Sequence, residues 1–399
     1  MKKESYSETR DIYKFLRWKR EKATLTYLDI ELTERCNSHC IHCSINLPTN
    51  DISAQQKELS TIKLKRILKE AASLGAINVR FTGGEPLLRD DFKELYVFTR
   101  KLGMRVILFT NATLIDNDLI DLFVKIPLLQ KIEVSLYGMK KDSYERVTRV
   151  DGSFERAWHG IQLLLENKIP FIIKGALLPS NKSEIGEFES WASGIPWMDG
   201  TPFYSMCFSL RCRPDQEKNR SIEKLRATPE EAEQLISRRG KDYVEEMKRK
   251  LARPVKIIAS DKLFLCNMGL HEGCVDAYGK FQPCMGMRAP ELVYDLRKGS
   301  LEDALKNFFP KIRELKSSNP EHFLRCGKCF LRRICLQCPA LSWQENGTLD
   351  TPIEYYCSIA HTEARFLGLL KDGEFSWKVE DWDKRINKFI KQESISTTI

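Results

Sequence analysis

Short apolar runs alternate with amphipathic stretches through the first half of the chain, and this alternation restricts the fold more than any other feature. "LTYLDIEL" reads as a strand, "ELSTIKLKRILKEAASLGA" as a helix stopped by Gly75, and "INVRFTGGEP" as strand then turn. "DDFKELYVFTRKLGM" and "DNDLIDLFVKI" carry helical spacing, while "RVILFTNAT" and "KIEVSLYG" carry strand spacing. A further helix in "SFERAWHGIQLLLENK", a strand in "PFIIKGALLP", a helix near "KSEIGEFESWAS" and a strand near "GTPFYSMCFS" extend the series. Repeats of this kind require a parallel sheet with helices outside. The fold class expected is α/β, a partial (β/α)6 TIM-like barrel, with an open doubly wound sheet as the alternative. In either, chemistry gathers at the carboxyl ends of the strands. Cys36, Cys40 and Cys43 follow the first strand, "GGEP" the second, "TNAT" the third and "SLYG" the fourth.

The rest of the chain reads differently. Its 399 residues imply two or three domains. We expect an N-terminal extension over 1–25, the barrel over 26–212, a charged helical connector over 213–255, a small irregular cysteine-rich domain over 256–370, and a helical tail over 371–399. No run approaches the roughly 18 apolar residues of a membrane span. The first residues, "MKKESYSETRDIYKFLRWKREK", contain no apolar signal core, so a cytoplasmic protein is expected. The net charge of +9 is spread over several segments without a nucleic-acid motif, so neither nucleic acid nor membrane is an expected partner.

Thirteen cysteines are many for a reducing compartment, where clustered thiols more often bind metal than form disulfides. Three thiols at Cys36, Cys40 and Cys43 suit zinc if His39 or His42 completes the set. They also suit a [4Fe–4S] cluster that keeps one iron without a protein ligand, open to a substrate or cofactor.

The spacing C-x3-C-x2-C, with His42 before the last cysteine, resembles the signature of radical S-adenosylmethionine (SAM) enzymes. "TGGEP" (Thr82 to Pro86) resembles the family's glycine-rich motif, and "EVSLYG" supplies Ser135 in the place of the serine near the SAM ribose and carboxylate. The resemblance implies that the open iron takes the SAM amino and carboxylate groups, and that a reduced cluster releases a 5′-deoxyadenosyl radical. It further implies cofactor-binding roles for Gly83, Gly84, Glu85, Asn111, Ser135 and His42, with Arg146 or Arg149 as a clamp on the methionine carboxylate.

The later cysteines, Cys266, Cys274, Cys284, Cys326, Cys329, Cys335, Cys338 and Cys357, resemble the SPASM extension of the same superfamily. That resemblance implies two auxiliary [4Fe–4S] clusters. Cys266, Cys274, Cys284 and Cys338 would hold one, and Cys326, Cys329, Cys335 and Cys357 the other. One gap between these cysteines is two residues where the family has three. Two zinc ions are the alternative for these eight thiols, and Cys207 and Cys212 are left over as structural thiols. Three [4Fe–4S] clusters and SAM are the implied cofactors. The implied activity is oxidative modification, such as cross-linking, of a ribosomally made peptide or protein, with a low-potential donor such as flavodoxin or ferredoxin as electron partner. No catalytic residue is assigned. Met285 stands after Cys284, where sulfatase maturases have an aspartate, so that activity ranks lower. The roughly 25 residues before the first strand are too short for a winged-helix leader-binding domain. Tetrapyrrole side-chain oxidation, or non-catalytic electron transfer, are the alternative functions.

Overall fold

In a computed structural model of the chain, residues 23–210, 216–252 and 261–391 are described. Two compact units are present. Unit 1 holds the residues up to 225 together with 266–312, and unit 2 holds 226–265 and the residues from 313 onward. Cys212 lies outside the described residues.

Unit 1 is built on β1 (Tyr27–Thr33), β2 (Arg35–Cys36), β3 (Leu47–Pro48), β4 (Asn78–Gly83), β5 (Arg105–Thr110), β6 (Ile132–Ser135), β7 (Phe171–Ala176) and β8 (Phe203–Ser205). Its helices are α1 (Ile52–Lys57), α2 (Thr61–Ser73), α3 (Phe92–Lys101), α4 (Asn117–Lys125), α5 (Lys141–Thr148), α6 (Ser153–Glu166), α7 (Ile185–Ser193) and α8 (Gln216–Glu223). β1, β4, β5, β6, β7 and β8 pair in that order, all parallel. This is the partial TIM-like barrel that the alternating pattern predicts.

Local chemistry explains the individual elements. Ser60 caps α2 through the Lys63 N–H, and Leu64, Ile67, Leu68 and Ala71 form its buried stripe at helical spacing. Asp116 caps α4 by accepting from the Leu119 N–H at 2.8 Å.

Three short strands that the pattern does not reveal extend the sheet: β9 (Glu272–Val275), β10 (Lys280–Gln282) and β11 (Tyr294–Asp295). β9 runs parallel to β1, with Asp29 opposite Cys274, and β10 and β11 follow antiparallel. Asp276 shapes the β9–β10 turn by accepting from the Tyr278 and Lys280 N–H groups at 2.9 and 2.8 Å. The compact units therefore cut across the segment 256–370.

Unit 2 contains α9 (Pro229–Ala252), α10 (Pro320–Leu324), α11 (Pro339–Asn346), α12 (Glu354–Phe366) and α13 (Trp382–Lys391). The charged stretch expected as a connector supplies Ile236, Tyr243, Met247 and Leu251 of α9 to an apolar core. That core also includes Phe330, Leu331, Leu369 and Phe389. The expected tail helix is α13, and its Phe389 is buried there.

One contact ties helix packing to the site. Gly160 of α6 lies against the turn after β5, and a Cβ there would stand 2.1 Å from the Ala112 carbonyl oxygen. Gly160→Ala is expected to cost about 1–3 kcal/mol by overpacking. A lower denaturant midpoint would register this; an unchanged midpoint would show that the contact relaxes.

Candidate functional site

The cysteine loop is fixed at both ends and along both sides. β2 pairs with β3, so residues 37–46 form a closed excursion. On one side, the Asn46 side-chain amide donates to the Ser38 and Cys40 carbonyls at 3.5 and 3.4 Å. On the other, the His39 and Ile41 N–H groups donate to the Thr148 and Val147 carbonyls at 2.8 and 3.0 Å. The latter are at the carboxyl end of α5, where helix carbonyls lack partners within the helix. Beneath the loop, Glu58 accepts from Arg35 Nε at 2.9 Å and Nη2 at 3.1 Å, and from Arg89 at 3.4 Å. Arg89 in turn grips Asp91 with two contacts of 2.8 Å.

The glycine motif is pressed against this same chain. The Gly84 N–H donates to the Thr33 carbonyl at 2.7 Å, and the Glu85 N–H to the Arg35 carbonyl at 2.9 Å. Gly83 has φ +118°, and a Cβ on it would stand 2.2 Å from the Thr33 oxygen. At Gly84 the distance to the Arg35 oxygen would be 2.1 Å. Both glycines are thus required by the strand bearing Cys36, whatever ligand the motif faces.

These loops enclose a cavity of about 340 Å³. Cys36, Cys40 and Cys43 all line it, as do Gly83, Gly84, Asn111, Ser135 and His42. Thr82 of the glycine motif also contributes, as do Ser38, Tyr137 and Phe208, for which the sequence carries no separate signal. His42 packs edge-on against Tyr137 at 4.8 Å and beside Phe208 at 5.0 Å. Burial, followed by the charge of Lys218, pushes its imidazole down to about 4, so it is neutral. Its Nδ1 has no hydrogen-bond partner.

Asn111 lines the cavity and also braces it. Its amide nitrogen donates to Asn37 at 2.8 Å and approaches Cys36 Sγ at 3.9 Å, and its oxygen accepts from the Thr113 hydroxyl at 2.6 Å. Glu85 is fully buried and is not among the lining residues. It accepts from the Thr110 hydroxyl at 2.9 Å, the Asn111 N–H at 2.8 Å and the Leu87 N–H at 3.1 Å. Burial pushes its carboxyl up to about 7, against the pull of these hydrogen bonds. Its place in the structure is behind the cavity wall, joining the second and third strand-end loops. Arg146 and Arg149 stand exposed at the end of α5, outside the cavity lining.

The donor set suits a thiophilic metal group. Cys36, Cys40 and Cys43 are free thiols on one cavity. Burial, followed by the charge of Glu85, pushes Cys36 up to about 12, and burial raises Cys40 as well. Thiolates at these positions need a bound cationic centre.

A second thiol-lined cavity, of about 70 Å³, lies in unit 2. Cys326, Cys329, Cys335, Cys338 and Cys357 all line it. Arg325 Nη2 donates to Cys357 Sγ at 3.6 Å, the Gln337 N–H donates to Cys335 Sγ at 3.4 Å, and Ser376 and Cys329 share a hydrogen bond of 2.9 Å. Cys266, Cys274 and Cys284 belong to unit 1, where Cys274 is buried on β9, Cys284 is half-buried and Cys266 is exposed. Cys207 is half-buried.

Residues 30–192 match the Radical SAM superfamily model. These residues form a radical SAM domain. It is 26% identical over 331 residues to the AdoMet-dependent heme synthase of Methanosarcina barkeri, covering 79% of this chain and 92% of that one. The GTP 3′,8-cyclase of Clostridium perfringens is 32% identical over 164 residues, 40% of this chain and 50% of the cyclase. The chain therefore spans about half the length of the cyclases it matches. The crystal structure of Streptococcus suis SuiB bound to S-adenosylmethionine aligns with a TM-score of 0.61 at 15% identity, covering 90% of this chain and 83% of SuiB. The structure of anSMEcpe with bound AdoMet gives 0.59 at 14%, covering 92% and 95%. At such identities these structures show a common fold. Among the described residues, no helix of the chain is long and apolar enough to cross a membrane.

Glu85→Ala would leave the Thr110 hydroxyl and the Asn111 and Leu87 N–H groups without their acceptor, at about 1–3 kcal/mol for each buried group left unsatisfied. A lowered thermal midpoint and weakened SAM retention in equilibrium dialysis are expected, with Glu85→Gln milder in both. Full SAM retention by a stable Glu85→Ala protein would contradict the bracing role.

Proposed function

We propose that this radical SAM protein cleaves SAM reductively and uses the product to oxidise a peptide or protein substrate. The observation that carries the proposal is the convergence of Cys36, Cys40 and Cys43 with Gly83, Gly84 and Ser135 on one cavity. In this reading the three thiols hold a [4Fe–4S] cluster with an open iron. When bound, cluster and SAM supply one electron and a 5′-deoxyadenosyl radical able to abstract hydrogen from an unactivated C–H bond. The protein's own part is to hold and dry the site. Gly83 and Gly84 present backbone to the cofactor, Ser135 and Asn111 offer polar contacts, and neutral His42, Tyr137 and Phe208 form an apolar wall. Eight further thiols, Cys266, Cys274, Cys284, Cys338, Cys326, Cys329, Cys335 and Cys357, hold two auxiliary clusters. A small low-potential protein such as flavodoxin or ferredoxin supplies the electron.

A peptide substrate is supported by likeness of fold. SuiB has also been solved bound to precursor peptide SuiA, with a TM-score of 0.50, and anSMEcpe with a Cp18Cys peptide, with 0.55. A second reading, oxidation of a tetrapyrrole side chain, is favoured by the alignment that covers 92% of the heme synthase.

After anaerobic reconstitution, three clusters should give about twelve irons per chain. Dithionite and SAM should then yield 5′-deoxyadenosine. Cys36→Ala should abolish that product and lower the iron count to about eight. Full cluster loading without any 5′-deoxyadenosine would instead favour an electron-transfer protein. Mass spectrometry separates the substrate classes: a loss of about two mass units per site in a co-expressed peptide supports the first, and turnover of an iron–coproporphyrin alone supports the second.

A further inference from the structure

Two cationic or hydrogen-bond-donating side chains in unit 2 face the thiol cavity without their full set of partners. His322, on α10, is only 6% exposed and lines the cavity. The Asp350 main chain lies beside its ring, yet neither ring nitrogen is within hydrogen-bond geometry of a partner. An imidazole always carries at least one N–H, so a buried donor is left over. Arg325 also lines the cavity, and its Nε is likewise buried without a partner. The rest of its guanidinium is held in place by Glu354 at 2.9 Å, by Glu321 at 2.7 Å and by the Trp377 ring at 4.8 Å. Buried donors of this kind mark a missing acceptor. The five thiols around them say what kind of acceptor it is: a sulfur-rich, negatively charged group.

We propose that His322 donates a hydrogen bond to the iron–sulfur cluster held by the unit 2 thiols, and that His322 and Arg325 together raise its reduction potential. This rests on the cluster reading given above. Reduction adds negative charge to the cluster, and donors or positive charge aimed at its sulfurs stabilise the reduced form. Arg325 is tied to the cluster through its contact with Cys357 Sγ, while His322 has its own opening onto the cavity. Both are positioning residues, outside the SAM cavity of unit 1.

The test uses the full-length reconstituted protein. Iron is counted first, and the unit 2 signal is identified by its loss in Cys335→Ala. An EPR-monitored redox titration then compares wild type with His322→Leu, which has no donor, and His322→Gln, which keeps one. The expected result is undiminished iron in both variants, a midpoint shifted to more negative potential in His322→Leu, and a midpoint near wild type in His322→Gln. Full iron loading with an unmoved midpoint in His322→Leu would overturn the proposal. So would loss of about four irons in both variants, since the imidazole would then be a ligand or a packing element. A wild-type protein holding only about four irons would overturn the cluster reading itself, and is distinguished by that count.

Discussion

The site depends on one backbone junction. Where the chain after β4 meets the chain after β1, the Gly84 and Glu85 N–H groups bond to the Thr33 and Arg35 carbonyls. Nothing larger than hydrogen fits on either glycine without displacing the strand bearing Cys36. From that junction a closed circuit of hydrogen bonds runs around the cavity. Glu85 reaches the third loop through Thr110 and Asn111, and the Asn111 side chain returns to Asn37 in the cysteine loop. Every member is buried or nearly so, and removing one leaves donors without acceptors rather than a simple gap. The thiols are therefore held by three strand ends together, and this is what a positioned cofactor site needs.

The circuit also explains what the sequence could and could not disclose. The order of strands was legible because each is a short apolar run between amphipathic helices, and burial follows that pattern directly. The front thiols were legible from their spacing. The role of Glu85 was not: beside two glycines at a strand end, a carboxylate suggests a cation-binding group, and only the pairing of the loops shows that both its oxygens are spent inside the wall. Arg146 and Arg149 stand outside the cavity lining. The resemblance implies a carboxylate clamp there, whereas the helix phase that buries Tyr144, Val147 and Thr148 leaves Arg146 exposed, and Arg149 is exposed as the left-handed residue that ends the helix. β9 to β11 carry no usable period in two to four residues each; β9 pairs with the free edge of β1, and β10 and β11 add to it in turn.

Unit 2 shows two kinds of cohesion. α9, α12 and α13 share an apolar core, and the hydrophobic effect suffices to account for their association. The short segments around α10 and the start of α11 surround thiols, an unpartnered imidazole and a partly unpartnered guanidinium. Burying such groups around nothing is unfavourable, so this half of the unit gains stability from whatever fills the cavity. The helical core beside it is hard to read from the sequence because its residues lie in a heavily charged stretch whose apolar positions are sparse.

The comparisons divide along the same line as the physics. The cyclases align over 40% of this chain, whereas the heme synthase aligns over 79%. The radical SAM match, residues 30–192, spans β1 to α7 and all the loops that form the hydrogen-bond circuit. That portion needs only to place one cofactor, and its demands on geometry are the same whatever is oxidised. On the proposed function, discrimination between a peptide and a tetrapyrrole falls to groups outside the circuit. Phe208 and Ser209 after β8 are the cavity-lining residues that lie beyond the matched stretch. They follow a strand of only three residues, in a stretch with little helical or strand period. The cavity lining beyond the matched stretch thus comes from a part of the chain little constrained by regular secondary structure, which is why the cofactor chemistry can be read from sequence while the substrate requires an experiment.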